Sequence, residues 1–270
     1  MTKNNFTVPN KMLAKLWRAI IEFNMISEGD KLLIGLSGGK DSMYLATALA
    51  TIKRYSPVNF ELACFTVDTM FTPNFPKEEL TAFCNNLGLE FYSEQVNVMK
   101  VWEAKGKNTG NTPCFSCAYF RRAATNRKAL ELGFNKIVLA HHHDDAVETF
   151  LMNLIASGQL KTFLPVTYLS KTKLTVLRPL VYYREEEIIS NVKKLQLKPL
   201  KNACPYDGNT KRQEIKEHIA SLKALNLESY EHLGAAMRTS DKQELWPSPL
   251  KQKELTKKFR TFWKKEKAKS

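Results

Sequence analysis

The stretch Lys31–Ser42, KLLIGLSGGKDS, decides the fold because an apolar, strand-like run ends abruptly in a glycine pair. The segment that follows it, MYLATALATIKRY, has the composition of a helix. Small residues between a strand and a helix let backbone N–H groups converge, and the positive end of the helix points at the same place. Ser37 and Ser42 add hydroxyl donors, and Lys40 adds a positive charge. The stretch therefore predicts a binding loop for a phosphate group.

This loop differs from two familiar phosphate-binding patterns. A Walker loop has four residues between its first glycine and Gly-Lys-Ser/Thr, and the dinucleotide pattern has three spaced glycines. The structural alternative is a tight strand-to-helix turn with ordinary glycines. The complete hexapeptide Ser37–Ser42, placed between an apolar run and a helix, favours the phosphate cradle over that alternative.

Short apolar runs alternate with helical segments through most of the chain. The runs span residues 32–36, 62–67, 89–96, 136–140 and 174–180, and the helical segments between them span 41–55, 77–87, 115–132 and 145–155. This alternation predicts an α/β fold with a parallel sheet covered by helices on both faces. Such a sheet binds its ligands beyond the carboxyl ends of the strands. The polar motifs of this sequence all follow strands, so we expect one site at that edge.

The remaining segments are helical or basic. An amphipathic helix at residues 11–26 opens the chain, and the pattern is helical again from Glu185 onward. A proline-punctuated linker, LWPSPL, precedes the last residues. We therefore expect four parts: an N-terminal helical segment, a nucleotide-binding domain, a C-terminal helical region and a basic tail, at residues 1–28, 29–184, 185–244 and 245–270.

The charge indicates a polyanionic partner. The net charge of the 270 residues is +14, and the last twenty residues, with nine Lys or Arg and two Glu, hold half of it. Nucleic acid is the simplest partner because its phosphates release counterions when Lys and Arg bind; for the tail alone, a solubilising role is the alternative. There is no apolar stretch of membrane-spanning length and no signal-peptide pattern, so we expect a cytoplasmic protein that does not bind membranes.

Five cysteines in a reducing compartment argue for metal or redox use rather than for disulfides. Cys114 and Cys117 lie in PCFSC directly before a helix, and Cys204 lies in NACPYDGN. Three cysteines from two places suit an iron–sulfur cluster with one iron unligated by protein. A structural zinc, a redox-active disulfide or persulfide and simple core thiols remain alternatives. Cys64 and Cys84 lie in apolar patterns and are expected to be buried hydrophobic residues.

Three histidines and two aspartates, His141 to Asp145, follow the fourth apolar run. Such residues at the carboxyl end of a strand can position Mg²⁺ on phosphate oxygens or hold a leaving group. Three adjacent histidines cannot face one way, so at most two serve one site. A zinc site made of these histidines is less favoured because no helical i, i+4 pairing of ligands is present.

SGGKDS resembles the loop of the PP-loop ATP pyrophosphatases. Four further segments extend the likeness: PCFSC followed by RR, LAHHHDDAVETFLMNLIASGQLKTFLP, LRPLVYYREEEI, and a cysteine followed by KRQEIK. In this order, from about Lys31 to Ser221, the chain resembles the tRNA 2-thiocytidine synthetase (TtcA) family. It departs from the family at Asp68-Thr69, where Asp-Gln is usual, at Ala140, where Gly is usual, and near Cys204, where a second cysteine is common. These departures indicate a divergent branch.

The resemblance implies a Rossmann-like fold of the HUP, or adenine nucleotide alpha hydrolase-like, class. It also implies a ligand set. ATP would be held by Ser37, Gly38, Gly39, Lys40, Asp41, Ser42, Val67, Asp68, His141 and Asp145. A 4Fe–4S cluster would be held by Cys114, Cys117 and Cys204. Asp41 and Asp144 would organise Mg²⁺ and the phosphates, whereas Asp68 has a simple turn residue as its alternative.

The resemblance implies an enzyme that forms AMP and diphosphate. It would adenylate the C2 oxygen of a cytidine, with tRNA position 32 expected, and replace that oxygen with sulfur. Arg121, with Arg122, would contact tRNA phosphate or the developing charge, and solvated helix arginines are the alternative. The expected partners are tRNA, ATP and a sulfur donor such as a cysteine desulfurase; a homodimer is a further candidate.

Two other functions stay open at this point. One is a PP-loop ligase or thiolase that acts on another substrate, with zinc or a persulfide at the cysteine pair. The other is a non-catalytic protein that binds a nucleotide or RNA.

Overall fold

The computed structural model describes residues 8–70, 75–103, 113–200, 211–238 and 251–258. The chain forms two compact units, Met1–Met237 and Arg238–Ser270. In the second unit, residues 252–258 are helical. All other elements belong to the first unit. Among the described residues, no helix is both long enough and apolar enough to cross a membrane.

Six strands form one sheet in the first unit. They are β1 (Asp30–Gly35), β2 (Phe60–Asp68), β3 (Glu90–Gln95), β4 (Lys136–Val138), β5 (Val166–Leu169) and β6 (Leu174–Leu177). Their order across the sheet is β3-β2-β1-β4-β6-β5. The neighbours are parallel except for β5, which is antiparallel to β6. The parallel sheet predicted from the sequence is confirmed, with β5 as an unpredicted edge strand. Its sequence, VTYL, is partly exposed and contains no continuous apolar run, so the sequence pattern did not predict this strand.

Nine helices precede, connect and follow the strands in the described part of this unit. They are α1 (Asn10–Glu22), α2 (Lys40–Lys53), α3 (Lys77–Leu87), α4 (Val98–Val101), α5 (Pro113–Glu131), α6 (His143–Ser157), α7 (Glu185–Lys194), α8 (Lys211–Leu225) and α9 (Ser229–Ala236). The predicted opening helix and the predicted C-terminal helices are therefore present. The short α4 was not predicted.

The helices cover both faces of the sheet because side chains of a strand alternate between its faces. Leu32 and Ile34 of β1 lie in one buried cluster, together with Leu45 of α2. Leu33, between them, lies in a second cluster that contains Ala124 of α5. This confirms the predicted three-layer arrangement. A run that is buried on both faces is continuously apolar, as LLIGL is.

Cys64 and Cys84 are fully buried in the first of these clusters, as the sequence predicts. A hydrogen bond with Cys84 and burial raise the pKa of the Cys64 thiol. Such thiols are inert because the thiolate is the reactive form.

The C-terminal helices α8 and α9 pack on α6. Val147 and Leu151 of α6 share a small buried cluster with Ile215 and Ile219 of α8 and Tyr230 of α9. Since α6 begins at the end of β4, this packing brings the polar side chains of α8 and α9 to the carboxyl edge of the sheet.

Candidate functional site

The loop between β1 and α2 requires glycine at one position. Gly38 has a φ of 79°, in the left-handed region that side chains disfavour. A Cβ atom there would lie 3.1 Å from Cδ1 of Leu200. The N–H of Leu200 donates a hydrogen bond to the carbonyl of Gly38 at 2.9 Å. The backbone of Gly38 is therefore packed against the segment that follows α7.

Two hydroxyl groups close this loop. The Oγ atoms of Ser37 and Ser42 lie 2.9 Å apart, and the N–H of Gly39 donates to Oγ of Ser37 at 3.3 Å. Oγ of Ser42 donates to the carbonyl of Gly39 at 3.1 Å. Gly39 precedes α2 and has no side chain to cap it. The first N–H groups of α2 are thus left for an anion, as in other phosphate-binding helix termini.

Lys40 is held beside the loop by two carboxylates. Its Nζ lies 3.2 Å from Oδ2 of Asp41 and 2.9 Å from Oε1 of Glu185. Burial acts to lower the pKa of Lys40, but these two carboxylates outweigh it and raise the pKa. Lys40 therefore carries its charge at a fixed place. The other carboxylate oxygen of Asp41, Oδ1, is buried without a hydrogen-bond partner in the described part of the structure.

Lys40 is the first member of a row of alternating charges that we call the ion-pair chain. In order, its members are Lys40, Glu185, Lys216, Glu148, Arg212 and Asp145. Successive nitrogen–oxygen distances are 2.9, 2.9, 3.8, 3.4 and 2.9 Å. The ion-pair chain joins the phosphate loop to α7, α8 and α6. The loop, the Asp145 region and the C-terminal helices therefore form one electrostatic unit.

Two carboxylates of the ion-pair chain have opposite pKa shifts. Burial acts to raise the pKa of Glu185, but hydrogen bonds from Lys40 and Lys216 outweigh it and lower the pKa to about 2. The Glu148 side chain is only 3% exposed. Its burial raises its pKa to about 7 against the opposing charge of Lys216. Glu185 is therefore ionised throughout the physiological range, whereas Glu148 titrates within it.

The three histidines face three different environments. The imidazole of His142 is buried at the start of α6 and accepts a bond from the N–H of Asp145. Nδ1 of His143 lies 2.7 Å from the hydroxyl of Tyr230 on α9. The ring of His141 contacts Phe163, and its Nδ1 is buried without a hydrogen-bond partner within the described ranges. Burial lowers the pKa of His141 to about 4, so its imidazole is neutral at neutral pH.

Asp144 and Asp145 already have protein partners. Asp144 accepts from Nε of Arg184 at 3.2 Å and from the N–H of Glu185 at 2.7 Å. Asp145 accepts from the N–H of His142 at 2.9 Å and from Arg212 at 2.9 Å. Within the described ranges, no group of three His, Cys, Asp or Glu residues is arranged to hold a metal ion. The predicted phosphate and Mg²⁺ roles of both aspartates stay predictions.

The hydrogen bonds of Asp68 are those of a turn residue, which is the alternative interpretation of this position. It is buried at the end of β2, where Oδ1 accepts the N–H of Met70 at 2.9 Å. Its Oδ2 accepts from the amide of Gln95 at 3.1 Å. Val67 is buried beside it. The predicted contact of Val67 and Asp68 with ATP is not tested by these bonds.

The predicted cluster residues are described only in part. Cys117 lies in the second turn of α5 and is half-buried. The side chain of Cys114 and all of Cys204 lie outside the described residues. Arg121 and Arg122, one turn further along α5, are exposed. Because α5 connects the parallel strands β3 and β4, its first turns lie at the carboxyl edge of the sheet. The geometry therefore places Cys117 at the same edge as the phosphate loop.

Several polar residues of this edge had no role in the sequence-based prediction. They are Glu148, Arg178, Arg184, Glu185, Arg212 and Lys216. A cavity of about 160 Å³ is lined by four of them together with Asp144 and Tyr230. The sequence could have indicated Glu148 as a residue of this edge, because it follows Asp144 by four residues and so lies on the same face of the helix. The others lie on elements whose packing the sequence does not reveal.

The comparisons with known proteins agree over most of the chain. Residues 10–222 match the family model of the PP-loop domain. A protein of Alcanivorax borkumensis is 38% identical over 216 residues, which are 78% of this chain and 75% of that protein. A protein of Ralstonia pickettii is 34% identical over 218 residues, 80% of this chain and 69% of that protein. Both relatives bear the name tRNA-cytidine(32) 2-sulfurtransferase.

A solved structure shares the fold. The U34-tRNA thiolase NcsA from Methanococcus maripaludis, determined with its 4Fe–4S cluster, superposes with a TM-score of 0.66 at 22% identity. The superposition covers 84% of this chain and 77% of that one. At this identity the likeness establishes the architecture of the sheet and its helices.

Proposed function

This chain belongs to the PP-loop family and, within it, to the family of the tRNA-cytidine(32) 2-sulfurtransferases, and from that membership we propose that it is an ATP-dependent tRNA sulfurtransferase. It adenylates the C2 oxygen of a cytidine in tRNA and replaces that oxygen with sulfur. The products are 2-thiocytidine, AMP and diphosphate. Position 32 is the substrate position in the names of the relatives.

The observation that carries this proposal is the phosphate loop. Gly38 holds the left-handed conformation that lets the backbone turn into α2, and Lys40 is fixed beside it by Asp41 and Glu185. A fixed cation and helix N–H groups at one point suit a triphosphate that loses diphosphate. They stabilise the charge that develops on the leaving group, and no reorganisation is needed during the reaction.

Adenylation solves a chemical problem of the substrate. The C2 oxygen of cytidine is a poor leaving group, and AMP is a good one. The carbonyl oxygen attacks the α-phosphorus of ATP, the bond to the diphosphate breaks, and Lys40 and the first N–H groups of α2 hold the departing charge. Sulfide then adds at C2 to form the C–S bond, the C2–O bond breaks, and AMP leaves with the former carbonyl oxygen. The target base has to leave its stack to reach such an edge.

The chemistry of the cysteines fits a cluster at this edge. Cys117 is half-buried near the start of α5, and a helix N-terminus favours the thiolate that ligates metal. We infer that Cys114 and Cys204 complete the ligand set, as the family resemblance implies. When bound, a 4Fe–4S cluster with one iron unligated by protein supplies a site for sulfide. A sulfur donor, such as a cysteine desulfurase, belongs to the same proposal, and so does a homodimer.

Asp41 is the better placed of the two proposed Mg²⁺ ligands. Its Oδ1 is a buried acceptor that no described donor satisfies, and hard cations prefer carboxylate oxygens. Asp144 would first have to release Arg184 and the N–H of Glu185. We infer that Mg²⁺ lies between Asp41 and the ATP phosphates.

The test uses full-length protein purified without oxygen, ATP, a sulfide source and tRNA from cells that lack this protein. We expect diphosphate release that depends on tRNA, and 2-thiocytidine in the digested tRNA by mass spectrometry. Cys117→Ala should lose the iron and the brown colour, whereas Cys84→Ala, in the core, should keep both.

Three outcomes would contradict the proposal. Diphosphate release without tRNA would indicate a small-molecule substrate, and a colourless protein with stoichiometric zinc would indicate the ligase or thiolase alternative. An absence of diphosphate release under all conditions would indicate a nucleotide- or RNA-binding protein.

A further inference from the structure

Two aromatic side chains are exposed at the start of α5. Phe115 is 55% exposed and Tyr119 is 57% exposed. The two residues are four positions apart, so they are neighbours on one face of the helix. Ala118, between them, is exposed on the same face. We call these three residues the aromatic face, because contiguous apolar groups in contact with solvent, unlike single ones, mark interaction surfaces.

The aromatic face points away from the hydrophobic core. Among the described residues of α5, Ala124 is the first that belongs to a buried cluster. At about 100° per residue, Ala124 lies on the side of the helix opposite Phe115, and so does Cys117. The aromatic face therefore serves neither the core nor the cysteine. It is available to a partner that approaches from outside.

The ring of Tyr119 is held in position before a partner arrives. It packs edge-on against the ring of Phe120, with the ring centres 5.3 Å apart and the planes at 85°. Phe120 is itself half-buried and so anchors the pair. A rigid ring offers a flat surface at a small cost in side-chain entropy, and such preorganisation favours binding.

The charges of α5 select the class of partner. Arg121 and Arg122 are exposed in the turn that follows Tyr119, and the helix contains no Asp or Glu before Glu131. Aromatic rings beside cations are the usual combination in proteins that bind single-stranded nucleic acid, because the rings stack on bases and the cations attract phosphates. A second copy of this chain, with its net charge of +14, would bring charge of the same sign to the arginines.

We propose that Phe115 and Tyr119 stack on unpaired bases of the RNA substrate, next to the nucleotide that is modified. The proposal rests on the function proposed above, because it assumes that the chain binds tRNA. A base that leaves its stack to react deprives its neighbours of a stacking partner, and an aromatic side chain replaces that partner. Because α5 begins at the carboxyl edge of the sheet, these neighbours pass its first turns. The aromatic face points away from Cys117, so it receives the neighbouring bases and not the base that reacts.

The first test measures the affinity of the anaerobically purified holoprotein for tRNA between about 50 and 200 mM salt. Phe115→Leu and Tyr119→Leu keep an apolar side chain but remove the flat ring, and each should weaken binding about tenfold. The slope of log K against log salt should stay unchanged, because no charge is lost. Tyr119→Phe should bind as the wild type does. Tyr55→Leu is the matched control, because Tyr55 is 67% exposed but follows α2 at the opposite edge of the sheet.

The second test detects stacking itself. The fluorescent base 2-aminopurine replaces, one at a time, the nucleotides on either side of the target cytidine, and stacking on an aromatic ring quenches its fluorescence. We expect quenching at one of these positions on binding to the wild type and to Tyr119→Phe, and weaker quenching with Phe115→Leu and Tyr119→Leu.

Two results would overturn this inference and leave the proposed function standing. One is wild-type affinity and quenching in both leucine variants. The other is a change of oligomeric state in these variants without a change in tRNA affinity, which would assign the aromatic face to a protein contact. A wild-type protein that does not bind tRNA overturns the inference and the proposed function together.

Discussion

The ion-pair chain and Arg178, the first residue after β6, lie along the same edge of the sheet, and they differ in how their charges are compensated. In the ion-pair chain each cation lies between carboxylates, as Lys216 lies between Glu185 and Glu148. The guanidinium of Arg178 instead donates to the carbonyl of Leu164 and to Oγ1 of Thr167, and no carboxylate of the described residues forms an ion pair with it. Compensated charges hold a geometry before the ligand arrives, whereas uncompensated charges leave electrostatic energy to be recovered on binding. We therefore expect the ion-pair chain to fix the phosphate loop before ATP binds.

The ion-pair chain itself contains a contrast between two carboxylates. Glu185 receives hydrogen bonds from two lysines, and these lower its pKa to about 2. Glu148 is more deeply buried, lies 3.4 Å or more from its cations, and has a pKa of about 7. The distance of each carboxylate from its cations, together with its burial, therefore decides which carboxylate stabilises the ion-pair chain at neutral pH. Substitutions along this chain test how much each compensated charge contributes.

The largest effect is expected at Lys40. Lys40→Met removes the fixed cation of the phosphate loop, and we expect tRNA-dependent diphosphate release to fall about 100-fold or more, the usual cost of one preorganised electrostatic contact. Lys53→Met, at the exposed end of the same helix, is the control and should keep its activity. Equal activity in the two variants would show that the compensated charge does not serve catalysis.

Glu185→Gln should have the second largest effect. The folded-state pKa of Glu185, about 2, lies below its ordinary value of 4.5, so its ionised form stabilises the protein above pH 4.5. That contribution is lost as the pH falls from 4.5 toward 2. The variant should lower the free energy of unfolding by about 1–2 kcal/mol at pH 7, and the difference should vanish near pH 2.

Denaturant unfolding at pH 7 and pH 3 measures this difference. Glu186→Gln, an exposed neighbour on α7, provides the comparison and should change stability little at either pH. A Glu185→Gln variant with a pH-independent difference would contradict the compensating role of Glu185.

Glu148→Gln should have the smallest effect, of opposite sign. The folded-state pKa of Glu148, about 7, lies above its ordinary value of 4.5, so the folded protein holds a proton that the unfolded chain has lost. The stability linked to that proton is present below pH 4.5 and is lost as the pH rises through 7. The variant should raise the free energy of unfolding by about 1 kcal/mol at pH 8 and flatten its pH dependence between pH 5 and pH 8.

Unfolding experiments across that pH range, with the exposed Glu61→Gln as control, decide this prediction. The same fall in stability in wild type and Glu148→Gln would show that another group causes it.

The sequence by itself determined the fold class and the phosphate loop. A continuously apolar run followed by Ser-Gly-Gly and a helix has few other solutions, because a buried strand, a left-handed glycine and a helix start are local requirements. The strand–helix alternation fixed the parallel sheet for the same reason. Residues 201–210, which contain Cys204, lie outside the described residues, so that prediction stays open.

Only the tertiary structure decided how the charges are paired. Lys40 and Glu185 are 145 positions apart along the chain and meet because α7 packs beside α2, and Arg212 reaches Asp145 because α8 packs on α6. The same packing places Arg178 beside neutral groups, the carbonyl of Leu164 and Oγ1 of Thr167. The sequence shows which residues are charged and so what each of them can bind. Which partner a charged residue has depends on the elements that the hydrophobic core brings together. The phosphate loop could be predicted from the sequence because its residues are neighbours along the chain. The charge pairing could not be predicted because the paired residues are far apart along the chain.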